Sequence, residues 1–415
     1  MPTIAAPGEG QPPADRIGFA RLTKFAFDGF DLRPVRDEIL ARIAEGSATA
    51  GEVLDLALIV QLLGDKPAGL SIQTEVLGFH RLFRSPCDSL PPSLRLLALA
   101  ADIDMGGNTP IDFLLEGSGI ELTTLYVVAG QPLPEALPEH DVAIIVASDS
   151  EECRPALAAI EEALPQWPRP LLNAPQAIAR LDRDKLWRVL DGIEGLEIPR
   201  TVPVGRADLA AIAAGLCDPA GLDTDLCFPL IARPRGSHAG VGLARIATAG
   251  DLQAYLSGRT EQEFFVSRFV DYASADGQFR KYRVAFVAGR PFAVHMAIAD
   301  QWNIWYLNAG MSFSEEKRAE EARFMDRFDE EFGARHTRAL TGLAAAVGLD
   351  YFTLDCAETR EGRLLVFEAD NTAVVHNMDP ADLFPYKGPQ MRKIFAAFAA
   401  MLRARAGDLK ATAAA

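Results

Sequence analysis

The chain has 415 residues, enough for two or three domains, and nearly half of them are apolar, ample for a large core. Its formal charge of −16 speaks against general nucleic-acid binding, which needs a basic face, while leaving room for a local basic cleft that holds a nucleotide.

The opening segment, Met1 to Gly10, lacks a basic stretch followed by a long apolar core, so it is not a signal peptide. No run approaches ~18 apolar residues, so no membrane span is expected. The five cysteines, Cys87, Cys153, Cys217, Cys227 and Cys356, form no Cys-x-x-Cys pair and are odd in number. That suits a reducing cytosol and a cytoplasmic protein without a disulfide framework or zinc site.

Residues 1–15 read as disordered. Residues 16–90 read as helical, with apolar stretches over Leu32 to Ile43, Val53 to Leu63 (ended by Gly64) and Ser71 to Phe83 (stopped by Pro86). They form a small cap or a remnant of helical repeats, although no repeat period is visible.

From residue 91 the pattern changes. A buried strand from Leu94 is followed by the turn Asp104-Met-Gly-Gly-Asn108-Thr109-Pro110, a helix over Ile111 to Glu116 and a strand over Leu122 to Ala129. The strand Val142 to Ala147 and the helix Arg154 to Leu164 follow. This alternation predicts a small parallel, Rossmann-like α/β domain over residues 91–172. Its first loop lies at the carboxyl end of the first strand, where open α/β sheets bind ligands. Asn108 and Thr109 are therefore candidates for substrate contact, with helix capping by Thr109-Pro110 as the other reading.

A loop and helix over Asn173 to Arg188 hold Lys185, and Thr201 to Ser267 reads as a small sheet subdomain. Within it an apolar strand delivers Arg233, and the turn containing Gly236, Ser237, Gly240 and Gly242 follows. Glycines there let backbone amides approach phosphate oxygens. The loop joins strand to strand and lacks Gly-Lys-Ser/Thr, which excludes a Walker loop and a dinucleotide fingerprint. Strands over Phe264 to Val270, Tyr282 to Ala288 and Pro291 to Ile298 are expected next, then a helix over Asp326 to Val347. A last helix spans Gln390 to Arg403, and residues 406–415 read as a disordered tail.

Two apolar strand-like runs carry Asp355 and, in Glu368-Ala-Asp370-Asn371, two further carboxylates. Hard oxygen ligands on neighbouring strands suit Mg²⁺; ordinary solvent-facing acids are the other reading. Lys281 and Arg283 share one strand face, and cations there need anions, either phosphate or an Asp or Glu partner. Cys356, next to Asp355, should point to the opposite face and sit in the core.

The order Lys185, Arg233 with its Gly loop, Glu263 to Val270, Lys281-Tyr-Arg283, Asp355 and Glu368-x-Asp370 resembles the ATP-grasp superfamily, from about Asn173 to about Leu402. Tyr351-Phe-Thr-Leu-Asp-Cys-Ala-Glu358, Phe367-Glu-Ala-Asp-Asn371, His376-Asn-Met-Asp-Pro380 and Phe384-Pro-Tyr-Lys387 look closest to a bacterial ATP-grasp group sometimes fused to tetratricopeptide repeats. The resemblance implies an α/β chain, with an α+β ATP-grasp domain over residues 173–405 and a lid at about 200–267. It also implies ATP and Mg²⁺ as cofactors.

Residue by residue, it makes Lys185 the first phosphate-contacting cation, unless it is a solvated surface lysine. Arg233, Gly236, Ser237 and Gly240 cover the phosphates. Arg268, Phe269 and Val270 form the adenine hinge, and Asp271 reaches towards ribose. Lys281 and Arg283 bind the γ-phosphate or an acyl phosphate, and Asp355, Glu368 and Asp370 hold the metal. Asn371 is a metal or substrate contact. His295 and His376 contact substrate, His295 also as acid or base, or are core histidines.

The implied activity is that of an ADP-forming carboxylate–amine ligase acting through an acyl phosphate. Its partners would be small-molecule carboxylate and amine substrates, with no nucleic acid and no membrane, and a homodimer as the open assembly. Arg233 stands where the family usually has lysine, Arg268 where it often has an acid, and Asp370 where it usually has asparagine. These departures motivate the alternative of a nucleotide-binding regulatory or scaffold protein. A third reading is a peptide-modifying ligase whose N-terminal helices grip a partner.

Overall fold

The structure, a computed structural model, describes residues 12–237 and 240–413 and divides into two compact units. The first comprises the chain up to Ala179, Leu349–Phe352 and the segment from Asp370 onward; the second comprises Arg180–Gly348 and Thr353–Ala369. These boundaries differ from the expected divisions at residues 90 and 172.

The first unit is organised on a six-stranded sheet. Its order is Ala14–Asp15, Leu82–Arg84, Ile120–Val127, Leu94–Ala101, Val142–Ile145 and Leu171–Leu172. Pairing is parallel except where Leu82–Arg84 meets Ile120–Val127. The strand Leu94–Ala101 is apolar throughout except for Arg95 and is almost wholly buried, as a central parallel strand must be. Two of its strands come from the segment expected to be disordered or purely helical. Ala14 and Asp15 pair with Phe83 and Arg84, while residues 1–11 lie outside the described residues.

The helices of that segment are Phe19–Phe27, Arg33–Glu45, Ala50–Leu62 and Lys66–Leu77. A reciprocal capping box between Thr49 and Glu52 starts the third. The fourth begins five residues earlier than expected, because Asp65 caps it through the Ala68 amide and Pro67 fits the first turn. It stops at Gly78, which frees Leu82–Arg84 to enter the sheet. The last helix starts at Lys387 and runs to Ala413, through residues expected as a tail; Ala414 and Ala415 lie outside the described residues. It belongs to the first unit, where Phe398 packs edge-on against Tyr351 at 5.2 Å.

The second unit carries two sheets. The smaller, within the expected lid, is antiparallel in the order Ala244–Ile246, Leu230–Pro234, Glu263–Arg268, Val202–Gly205. Helices Arg206–Ala213 and Ala249–Ser257 bury Leu209, Ile212, Leu252 and Leu256 against Leu230 and Phe264. The larger sheet has the order Arg290–Ala299, Phe279–Val287, Tyr351–Glu358, Leu364–Asp370, Leu196–Glu197, with Tyr351, Phe352 and Asp370 counted in the first unit.

The single helix expected over Asp326 to Val347 is two, Phe332–Arg335 and Thr337–Val347, preceded by a further helix, Glu315–Asp326, that was not expected. A tight turn in which the Gly333 amide donates to the Phe328 carbonyl (2.7 Å) separates Glu315–Asp326 from Phe332–Arg335. The helix Glu315–Asp326 begins where Ser314 caps Lys317, and its many charges leave little apolar periodicity to read. Among the described residues no helix is long and apolar enough to cross a membrane.

Candidate active site

Side chains alternate along a strand, so Lys281 and Arg283 project to one face of the larger sheet. Tyr282 projects to the other, against Phe324 and Phe332, with ring centroids 4.9 and 4.7 Å away. Arg283 pairs in register with His295 on the strand Arg290–Ala299. On the strand flanking the other side, Asp355 is 3% exposed and receives both cations. Lys281 Nζ lies 2.7 Å from Oδ2, Arg283 Nε 2.7 Å from Oδ1 and Arg283 Nη2 3.0 Å from Oδ2. Burial opposes the charged carboxylate, but Arg283 and Lys281 prevail and hold it well below the usual range. Cys356, its neighbour, is fully buried, and burial pushes its thiol far up.

One strand further, Glu368 accepts a hydrogen bond from Arg183 Nη2. Arg183 draws the Glu368 carboxyl below its ordinary value against the opposing effects of burial and Asp355. Two neighbouring carboxylates, Asp355 and Glu368, are thus flanked by cations, Arg283 on one side and Arg183, from the helix Arg183–Leu190, on the other. Arg183 is the residue that sequence reasoning missed. Lys185, two residues on, is 45% exposed and its ammonium stands 3.7 Å from Asp182.

The smaller sheet contributes Arg233, 9% exposed. Its guanidinium donates to Ser237 Oγ (3.1 Å) and to the Ser237 carbonyl, both neutral, and no carboxylate lies within ion-pair range among the described residues. Burial draws its pKa down to about 10, with help from the charge of Arg183, and Glu368 offsets only part of this. A buried cation with neutral partners beside another cation is costly until an anion arrives. Ser237 is fixed by its own bond to the Pro234 carbonyl (2.8 Å). Gly242 must be glycine: its φ is +71°, and a Cβ would lie 2.6 Å from Pro234 Cδ. Gly236 and Gly240 also adopt positive φ, while His238 and Ala239 between them lie outside the described residues.

The expected adenine hinge is heavily committed within the protein. Arg268 bonds Glu197 (2.9 Å) and Asp225 (3.2 Å), and the Phe269 amide donates to the Pro229 carbonyl (2.8 Å). Val270 follows at the strand exit, and Asp271 closes a turn onto the Ala273 amide and pairs with Arg360 at 2.8 Å. His295 is half-buried with its ring 4.8 Å from that of Tyr306, whose hydroxyl donates to the fully buried Glu321.

The remaining candidates lie in the first unit. Asn108 exchanges two hydrogen bonds with the Ala101 backbone, at 2.8 and 3.0 Å, and so finishes the strand Leu94–Ala101. Thr109 is buried; its hydroxyl donates to the Asn371 carbonyl (2.7 Å), while its amide donates to the Val146 carbonyl (2.7 Å); the cap position of the next helix is Pro110, so Thr109 is not the expected cap. Asn371, fully buried, donates to Ala147, and Asp370 accepts from the Thr372 amide and hydroxyl in a turn. His376 packs between Phe27 and Phe113, with Nδ1 accepting from the Met378 amide. Thr109→Val should therefore cost about 1–3 kcal/mol in urea unfolding, the cost of orphaning the buried Asn371 carbonyl. Unchanged stability would refute the structural role of this hydroxyl.

Among the described residues no three His, Cys, Asp or Glu side chains gather into a metal-holding group. Asp355 and Glu368 nonetheless have the donor chemistry that Mg²⁺ takes, and a metal there would displace cations from them.

No family model matches the chain, and no curated protein matches it. Several solved structures are similar to it. An ATP-grasp RimK domain protein from Sphaerobacter thermophilus is 17% identical over 74% of this chain and 99% of its own, with a TM-score of 0.42. A D-alanine–D-alanine ligase from Bacillus anthracis, complexed with ATP, is 13% identical over 75% and 98%, with a TM-score of 0.42. The ATP-grasp ligase PsnB, complexed with a phosphomimetic variant of its minimal precursor, Mg and ADP, is 16% identical over 74% and 99%, with a TM-score of 0.39.

Proposed function

We propose that the second unit binds ATP and that the protein is an ADP-forming ligase that activates a carboxylate for attack by an amine. The observation that carries this reading is Arg233, a buried cation held by neutral groups beside Arg183, at the start of a glycine-rich turn. Such a site favours a polyanion. Lys281 and Arg283, which pair with Asp355, would take up negative charge as a phosphoryl group moves. Asp355 and Glu368 would hold Mg²⁺, which when bound supplies neutralising charge to the phosphate oxygens. In the proposed reaction a substrate carboxylate oxygen attacks the γ-phosphorus and ADP leaves. The amine nitrogen then attacks the acyl carbon, phosphate departs with the bonding pair, and the amine loses a proton. No protein nucleophile is required, and none of the described side chains near the site supplies an obvious one.

The deciding experiment incubates the protein with MgATP, a panel of carboxylic acids and hydroxylamine. A hydroxamate together with stoichiometric ADP is the expected result. ATP binding without ADP release for any acid would favour the regulatory reading, to which the saturated oxygens of Asp355 also point. Failure to bind ATP at all would refute both.

A further inference from the structure

The first unit contains a cavity of about 70 Å³ that the proposed ATP chemistry does not use. It lies at the carboxyl end of the strand Leu94–Ala101 and is walled on one side by the N-terminal helices, through Phe19, Leu54 and Leu58. Ile103 and Ile111 complete an apolar lining, and the polar groups that reach it include Arg16, Tyr126 and Asp112. Concave sites with an apolar wall and a few convergent polar groups are where small ligands bind.

The polar groups are not equivalent. Arg16 is already matched: its Nε lies 3.0 Å from Asp55, a carboxylate with no exposed surface, and Tyr126 also engages it. Asp112 differs. Ser85 donates to its Oδ1 at 2.8 Å and its own backbone amide also bonds it, but among the described residues the one basic group whose charge reaches it is Arg16, already matched to Asp55. It keeps accessible surface while surrounded by protein, as a side chain facing a cavity does. Burial raises its pKa, a cost that a cation in the cavity would remove. Asp104, a second acid in the lining, is paired with Lys66, so the available negative charge is that of Asp112.

We propose that this cavity binds a primary ammonium ion on a short apolar chain, with the ammonium against Asp112 and the chain against Phe19, Leu58 and Ile111. The volume suits roughly four or five heavy atoms. This assignment stands whether or not the second unit uses ATP.

The test measures binding of propylammonium, propionate and 1-propanol to the full chain by calorimetry, alongside thermal unfolding. Propylammonium should bind at least tenfold more tightly than either isostere and raise the unfolding temperature with concentration. Asp112→Asn should weaken it by at least tenfold while leaving 1-propanol unchanged. If that variant does not fold, the three-ligand comparison on the unaltered chain decides. Equal binding of 1-propanol, preference for propionate or no binding would each overturn the proposal. So would a tripeptide with a free amino terminus that binds more tightly than propylammonium, because the site would then read a chain end.

Discussion

Arg233→Met should make the protein more stable and less able to bind ATP. The guanidinium is buried, its partners are neutral and Arg183 lies close, so folding works against its charge. A folded pKa of about 10 lies below the ordinary arginine value, so the charged form opposes folding at every pH below it. Removing the charge should therefore gain on the order of 1 kcal/mol in urea unfolding at neutral pH. ATP affinity should fall roughly 100-fold, the loss of a charge-assisted contact in a desolvated site. The paired measurement separates function from architecture, since a structural arginine would lose stability on removal. A variant that is destabilised and still binds ATP normally would sink the assignment.

Asp355→Asn should have the opposite signature, losing stability and turnover together. Asp355 is almost wholly buried and balances two cations, and leaving buried charges uncompensated costs about 3–5 kcal/mol. Its folded pKa is depressed by Arg283 and Lys281 against burial. The stability it contributes is therefore fully present above its unfolded pKa, about 4, and is lost as pH falls towards the folded value. The acid limb of the stability profile should flatten in the variant. Wild-type stability with wild-type ADP release would remove Asp355 from the site altogether.

Much of this was legible in the sequence because strands announce themselves locally. Leu94–Ala101 is legible to the residue, since a run that is apolar but for Arg95 has few alternatives. Cys356 is buried, as alternation beside Asp355 predicts. Arg183 is not part of the motif that singles out Lys185, although helical spacing carries a signal for it. Arg183, Leu186 and Leu190 stand at i, i+3 and i+7, and both leucines are buried, so Arg183 shares the inward face. Asn108 and Thr109 show the limit of local reading. Their partners are backbone groups of Ala101, Val146 and Asn371, the last 262 residues away, and nothing near Thr109 in the sequence indicates that contact. Leu82–Arg84 was lost to a preceding helical pattern because three residues carry no period of their own.

The chain passes between the two units near residues 179, 349, 352 and 369, and this fixes the order in which synthesis can complete them. The sheet of the first unit emerges early, but Tyr351 waits for Phe398, which leaves the ribosome after the whole second unit. Asp350 likewise waits for Arg405, 2.7 Å away in the finished fold. Co-translational folding can therefore finish most of the second unit while the first still lacks its closing helix. Expression trials that end the chain before residue 398 should yield a first unit with an open apolar face, prone to aggregate, however intact the other unit is.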